Sequence, residues 1–487
     1  MRKRKEEKNK SLIVSSFYNF TKTLFNLIFP IITFSYSSRV LGVEGVGKVN
    51  FAKSFTTYFT MIAMLGVNYY GTREAAKIRD KKERLNQFAH EMLLINILST
   101  LCSYLLLLGT MNMIPRLQNY MELLVINGVS VFLTGLGMEW LYQALEEYRY
   151  ITVRTILFQG IALCLMFVFV RSREDTAAYA IICILASHGS YVVNFWHSRK
   201  YISFQRTEKK VQIRQHLKPI LILFAMAVSI ELYTVLDSTM LGFLKGDEAV
   251  GLYSAGIKIN KITNSLITSI GVVLLPRLSY YIGRKEMDKL NALSRTVYQF
   301  IFMMSVPAAT GLFILSDDIV LLFSGKEFIA ASYTMKLLTP IVVVIPFSII
   351  TNIQILIPMG KEKLILLSTC VGAAVNFCCN CLLIPLYAEN GAAVATVLAE
   401  SAVSAVCFMN IRKLFDVKRI FHQYYQYWIA TCSILVIGYV VKIYVVNHIM
   451  RICAIVVLSV VTYFIILTKM RNDCLVEVFT IVKRRVK

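Results

Sequence analysis

Roughly fourteen long apolar runs fill this chain almost from end to end, and lysines sit inside several of them. A run of about 20 apolar residues is long enough to cross the hydrocarbon layer of a bilayer as a helix. A charged side chain near the middle of such a helix costs about 2.5–3.5 kcal/mol on insertion scales. A chain that keeps several of them needs a polar interior to hold them. The pattern therefore predicts an all-α integral membrane protein with a cationic, water-accessible cavity.

The spans read approximately as 11–37, 46–70, 87–110, 119–141, 151–170, 176–197, 217–243, 250–275, 297–316, 336–358, 362–386, 390–411, 425–446 and 450–469. The division of 362–411 rests on Pro385 and Asn390-Gly391, which punctuate helices. With 56% of its 487 residues hydrophobic, the chain has no polar stretch long enough for a separate soluble domain. The basic start, MRKRKEEKNK, leads into the first apolar run without a small-residue cleavage site and does not read as a cleaved signal peptide.

A formal net charge of +23 raises the question of nucleic acid, but the basic residues are distributed as orientation signals. About 38 of the 52 Lys and Arg fall in the tails and alternate loops, Arg154 counted with the loop at 142–150, against about 9 in the opposite loops. This asymmetry places both termini in the cytoplasm and gives an even number of helices. The eleven cysteines, including Cys378, Cys379 and Cys381, lie mostly inside apolar runs without histidines at ligand spacing, so no metal site and no cofactor are expected.

An internal repeat is visible. Arg39-Val-Leu-Gly-Val-Glu-Gly-Val-Gly47 and Met240-Leu-Gly-Phe-Leu-Lys-Gly-Asp-Glu-Ala-Val-Gly251 both read Leu-Gly, a charged turn, then Val-Gly opening a helix. Both units start on the same side, so the repeat is parallel with six helices in each, and parallel repeats place the substrate site between them. The expected division is an N-terminal lobe at 1–210, a second at 211–415, and two further helices with a tail at 416–487.

The candidate site residues lie on polar stripes. Asn19, Lys22 and Asn26 share one face of the first helix, and Asn50, Lys53, Thr57 and Thr60 one face of the second. Ser254, Lys258, Lys261, Ser265 and Thr268 form a stripe on the eighth. Polar stripes on apolar helices point to a protein interior or aqueous cavity, although lysines near helix ends can also snorkel to the interface. Glu231 and Asp237 in the seventh helix and Glu400 in the twelfth are candidates for ion coupling, with a structural ion pair as the plainer reading of Glu231. Asp317-Asp318 reads as an acidic pair in a short loop, too small a platform for a membrane glycosyltransferase, so an enzyme is not expected.

Several segments resemble those of bacterial polysaccharide flippases, the O-antigen and capsule repeat-unit translocases of the MOP exporter superfamily. They are Tyr18-Asn-Phe through Arg39-Val-Leu-Gly-Val-Glu-Gly-Val-Gly-Lys-Val-Asn-Phe51, Glu147-Tyr-Arg-Tyr-Ile-Thr-Val-Arg154, Gly251-Leu-Tyr-Ser-Ala-Gly-Ile-Lys258 and Leu275-Pro-Arg-Leu-Ser279. The resemblance implies two six-helix lobes that flip undecaprenyl-diphosphate-linked oligosaccharides from the inner to the outer leaflet of the bacterial cell membrane by alternating access. It implies substrate contacts at Lys22, Lys53 and Lys258, where related lipid II flippases favour arginine. It also implies a lipid-tail groove shaped by helices 13 and 14. Partners would be the lipid-linked oligosaccharide, the bilayer, and a polysaccharide polymerase with glycosyltransferases. A cation-coupled multidrug exporter of the same superfamily is the alternative, although cationic drugs call for an acidic cavity. A non-transport polysaccharide-assembly protein is another, for which a large outer loop would be expected.

The loop at 198–218 carries seven Lys and Arg and is expected in the cytoplasm. A cysteine introduced there should resist impermeant maleimide in intact cells and react after permeabilisation; labelling from outside would contradict the topology.

Overall fold

The computed structural model describes residues 2–203, 212–284, 286–412 and 424–476; within these helices some side chains, including those of 2–17, Asn19, Phe20 and 270–276, lie outside the description. All the regular structure described is helical. The chain divides into two compact units, Met1–Gly251 and Leu252–Lys487.

The first unit opens with α1 (Arg2–Met64), followed by α2 (Val67–Ile78), α3 (Lys82–Met113), α4 (Met121–Leu136), α5 (Glu139–Ala144), α6 (Tyr148–Phe169), α7 (Thr176–Ile184), α8 (Ser190–Ser198) and α9 (Arg214–Leu244). α10 (Asp247–Gly283) begins in this unit and runs on into the second. The second continues with α11 (Met287–Phe323), α12 (Ala331–Leu338), α13 (Ile341–Ile349), α14 (Glu362–Ile411), α15 (Tyr424–Tyr444) and α16 (His448–Lys469).

Nine helices among the described residues are long and apolar enough to cross a membrane, or ten if the bent pair Ala331–Leu338 and Ile341–Leu356 is one span. Two of these are double length. Thr21–Ile78 covers 58 residues, about 87 Å at helical rise, and is broken at Gly42; Glu362–Asn410 is broken at Ala388. The break at Ala388 falls between Pro385 and Asn390-Gly391, where the sequence places it. With α9 and α10, the architecture is consistent with about fourteen crossings.

The structure departs from the sequence reading where backbone breaks replace loops. The stretch after residue 70 is not a loop: the helix breaks at Leu65-Gly66 and resumes as α2 to Ile78. The fourth span breaks at Met138, with φ +43°, and the sixth passes through a π-helical turn at Leu185–Gly189 between α7 and α8. Asp317 and Asp318 lie inside α11, not in a loop. There Asp317 meets Lys336 of α12 at 2.9 Å, and the buried Asp318 is held by His448 and by Arg451, the latter at 2.8 Å. This acidic pair ties α11 to α12 and α16.

Within the first unit the two repeat turns meet backbone to backbone. A methyl group on Gly47 would stand 1.8 Å from the Asp247 carbonyl oxygen, and one on Gly251 2.2 Å from that of Val43. Around this contact, Tyr120 Oη donates to Asp247 Oδ1 at 2.6 Å, Arg116 donates to the Phe243 carbonyl at 2.7 Å, and Phe51 lies against Gly242 and Phe243. No side chain fits between the backbones.

Gly47→Ala and Gly251→Ala should therefore each cost about 1–3 kcal/mol by overpacking. Gly109→Ala, with nothing within 4 Å of the added methyl, should be neutral. Thermal melting of the purified variants checks this; equal melting temperatures for Gly47→Ala and Gly109→Ala would contradict it.

Candidate functional site

The polar residues of the first unit converge on Glu139. This carboxylate opens α5 just after the break at Gly137 and Met138. Gly137 lets the ring of Tyr191 approach: a methyl group there would come within 2.8 Å of it. Tyr191 stands beside Glu139, close enough to act on its carboxylate. Lys22 Nζ of α1 lies 3.3 Å from Glu139 Oε1, and Arg154 Nη2 of α6 lies 3.6 Å from the same oxygen. One carboxylate is thus shared by two cations.

The two cations differ in their surroundings. Arg154 is only 5% exposed; its Nη1 donates to Ser190 Oγ at 2.9 Å, and its Nε has no hydrogen-bond partner among the described residues. Lys22 is partly open to solvent. Nearby, Asn26 Oδ1 accepts from Gln159 Nε2 at 2.8 Å, which joins α1 to α6 a turn further along. His188 sits on the π-helical turn, within electrostatic reach of both Lys53 and Glu139. Such turns shift side-chain register and recur at functional sites. Lys22 and Arg154 outweigh Glu139, and Lys53 acts on the neighbouring His188, so among the described residues the charges named here sum to a net positive.

Of the residues singled out in the sequence, Lys22, Lys53 and Asn26 are brought into this region of the first unit. Asn19 lies on α1, with its side chain outside the described residues. Lys258 and Lys261 lie on α10 in the second unit. There the buried face of α10 carries Tyr253, Ile257, Asn260, Asn264 and Ile267, whereas Lys258, Lys261, Ser265 and Thr268 are half-buried or exposed.

The acids separate. Asp237 is 2% exposed, close enough to Tyr58 to act on it electrostatically, and Tyr58 Oη donates to Thr239 Oγ1 at 3.2 Å. Glu400 is 6% exposed on α14 of the second unit. Glu231 lines a cavity of about 590 Å³ in the first unit, together with Thr57, Thr60, Asn68, Tyr69 and Gln143.

Arg154, Tyr191, His188 and the role of Glu139 were not legible as a site. Arg154 counts as a loop charge in the topology, yet it is buried in α6. It lies inside the apolar run at 151–170, so the rule that singled out Lys22 applies to it equally. His188-Gly-Ser-Tyr191 was a polar patch in an otherwise apolar run.

A second cavity, of about 360 Å³, lies in the second unit and is lined almost wholly by apolar side chains, among them Met303, Pro307 and Leu312 of α11, Ile434 of α15, and Ile455 and Tyr463 of α16.

Comparisons with known proteins fit this architecture. Residues 12–282 match the family described as "Polysaccharide biosynthesis protein", and residues 222–382 match the MatE family. The "Putative O-antigen transporter" of Shigella dysenteriae is 25% identical over 391 residues, covering 79% of this chain and 95% of that one. The "Lipid II flippase MurJ" of Bacillus subtilis (strain 168) is 28% identical over 160 residues, 32% of this chain and 29% of that protein. Among solved structures, "Lipid II flippase MurJ, inward closed conformation" superposes with a TM-score of 0.73 at 14% identity, over 95% of this chain and 99% of that one. At that identity the likeness speaks for the fold.

Proposed function

The chain belongs to the polysaccharide biosynthesis protein family, and from that premise we propose that it is a flippase for lipid-linked oligosaccharides. Its substrate would be an undecaprenyl-diphosphate-linked repeat unit moved from the inner to the outer leaflet of the cytoplasmic membrane by alternating access. The O-antigen transporter and flippase names of the relatives support this reading. The observation that carries it is the Lys22–Glu139–Arg154 cluster.

The diphosphate is the part of such a lipid that hydrocarbon rejects most strongly. Lys22 is held by an ion pair it can exchange. When a diphosphate oxygen replaces Glu139 at Lys22, Arg154 still neutralises the carboxylate, so no charge is left unpaired. Lys53 adds a second donor on the same side, and Lys258 and Lys261 supply the cationic stripe of the second lobe. A lysine meets phosphate as a point charge, not as a two-pronged fork. Asn19 and Asn26 extend the polar face of α1. The apolar cavity against α15 and α16 supports a seat for the prenyl chain.

Glu231, Asp237 and Glu400 remain the proposed coupling acids. We also propose both termini in the cytoplasm, lobes at 1–210 and 211–415, and a polymerase and glycosyltransferases acting on the same substrate. A non-enzymatic role accords with the transporter names of the relatives. The MatE match at 222–382 favours a second reading, a multidrug exporter, but a net cationic cluster repels the cations such exporters carry.

Outer-leaflet delivery of the lipid-linked repeat unit, measured in cells at matched protein abundance, tests the proposal. Lys22→Gln and Lys53→Gln should each lower delivery about tenfold, the worth of one charge-assisted hydrogen bond. Lys22→Arg and Lys53→Arg should retain most of it. Wild-type delivery in both Gln variants would reject the cationic-cluster mechanism.

A further inference from the structure

We propose that the cavity floored by the Leu65-Gly66 break binds a sugar ring of the substrate, as an oligosaccharide subsite distinct from the cationic cluster. This inference rests on the flippase reading and specifies what that reading leaves open, namely what recognises the glycan.

The break creates the site. Leu65 and Gly66 both have positive φ, +43° and +74°. A methyl group on Gly66 would stand 2.8 Å from the Phe224 backbone nitrogen, so only glycine lets the broken end of α1 lie on α9. The chain then turns into α2, which presents Asn68, Tyr69 and Thr72 to the cavity, with Gln143 of α5 opposite. Thr72 Oγ1 donates to the Asn68 carbonyl at 2.8 Å and lies 3.3 Å from Gln143 Oε1, so α2 and α5 meet at the wall without a ligand. Tyr69 is 66% exposed and lines the cavity, so its ring is open to a ligand.

The chemistry of the lining selects the ligand class. Its ionisable groups include one carboxylate, Glu231, and one guanidinium, Arg73, which is itself paired with Glu74 at 3.0 Å. With Arg73 already neutralised by Glu74, Glu231 leaves the lining without net positive charge, so it does not favour a diphosphate. The rest of the lining is the amides of Asn68 and Gln143, the hydroxyls of Thr57, Thr60 and Thr72, which both donate and accept, the ring of Tyr69, and an apolar wall that includes Met61, Met64 and Phe224. That combination suits an uncharged ring bearing hydroxyls on its edge and C–H groups on its faces.

Position along α1 links the subsite to the diphosphate. Lys53, Thr57 and Thr60 share one helical face, and Thr57 and Thr60 line the cavity. Thr57 is about 6 Å and Thr60 about 10 Å along the helix from Lys53. In a lipid diphosphate glycan the first sugar is bonded directly to the second phosphate. A phosphate at Lys53 therefore delivers the first sugars to this cavity.

The test uses two probes against full-length protein in nanodiscs: undecaprenyl diphosphate, and undecaprenyl-diphosphate-linked oligosaccharide extracted from the host strain. Wild type should bind the glycosylated lipid more tightly than the bare one. Tyr69→Ala and Gln143→Ala should each weaken the glycosylated lipid about two- to tenfold and leave the bare lipid unchanged. Tyr69→Ala removes an exposed side chain, so it keeps the test valid if Gln143→Ala folds poorly. Equal affinity of wild type for the two probes, or unchanged glycolipid affinity in Tyr69→Ala, would overturn the subsite while leaving the flippase reading intact. Parallel weakening of both probes would also overturn it. Failure of wild type to bind either lipid would overturn both.

Discussion

Two cations on one carboxylate is the interaction on which the first unit's cationic face depends. Burying a charge without a partner costs several kcal/mol, and removing one member of a buried pair costs about as much. Glu139 meets this requirement for Arg154, which is almost sealed from solvent and has Ser190 as its other partner. Lys22 reaches the same oxygen from a more open position. The asymmetry assigns the two cations different work. In the proposed mechanism Arg154 keeps the carboxylate neutralised, so that Lys22 can leave without stranding it. The same contact draws together α1, α5, α6 and, through Tyr191, α8.

Backbone breaks make this arrangement possible. Continuous helices would bury their polar groups in their own ladders and keep neighbours at side-chain distance. At Gly42, Leu65-Gly66, Met138 and Ala388 the chain departs from helical geometry. Glycines beside two of these breaks admit what no larger residue could: the Tyr191 ring at Gly137, and the α9 backbone at Gly66. The repeat turns use the same device at Gly47 and Gly251. At Gly47, Gly66, Gly137 and Gly251 alike, the missing side chain is what lets a backbone or a ring approach.

Much of this was readable in the residues. Length and hydropathy set the helical membrane architecture, Pro385 and Asn390-Gly391 marked the break that falls at Ala388, and the rarity of membrane-embedded lysine pointed to Lys22 and Lys53. The acidic partner was not readable. Glu139 lay near the expected end of a helix, where solvent is the ordinary explanation, and only the break at Met138 turns it inward. Arg154 was hidden by its neighbours: Arg149 and the acidic pair before it look like a loop, and a charge three residues into the next apolar run is easily counted with them. Asp317 and Asp318 mislead in the opposite way, because a pair of carboxylates resembles a loop until Lys336, His448 and Arg451 are seen to hold it on a helix.

In the proposed mechanism Lys22 exchanges Glu139 for the substrate's diphosphate. Binding of undecaprenyl diphosphate to purified wild type, Lys22→Gln, Glu139→Gln and the double variant tests it most directly. Binding should be weaker for Lys22→Gln and tighter for Glu139→Gln, where the competing carboxylate is gone. Glu139→Gln should bring no gain once Lys22 is absent. Unchanged affinity in Lys22→Gln, or the same gain from Glu139→Gln with and without Lys22, would contradict it.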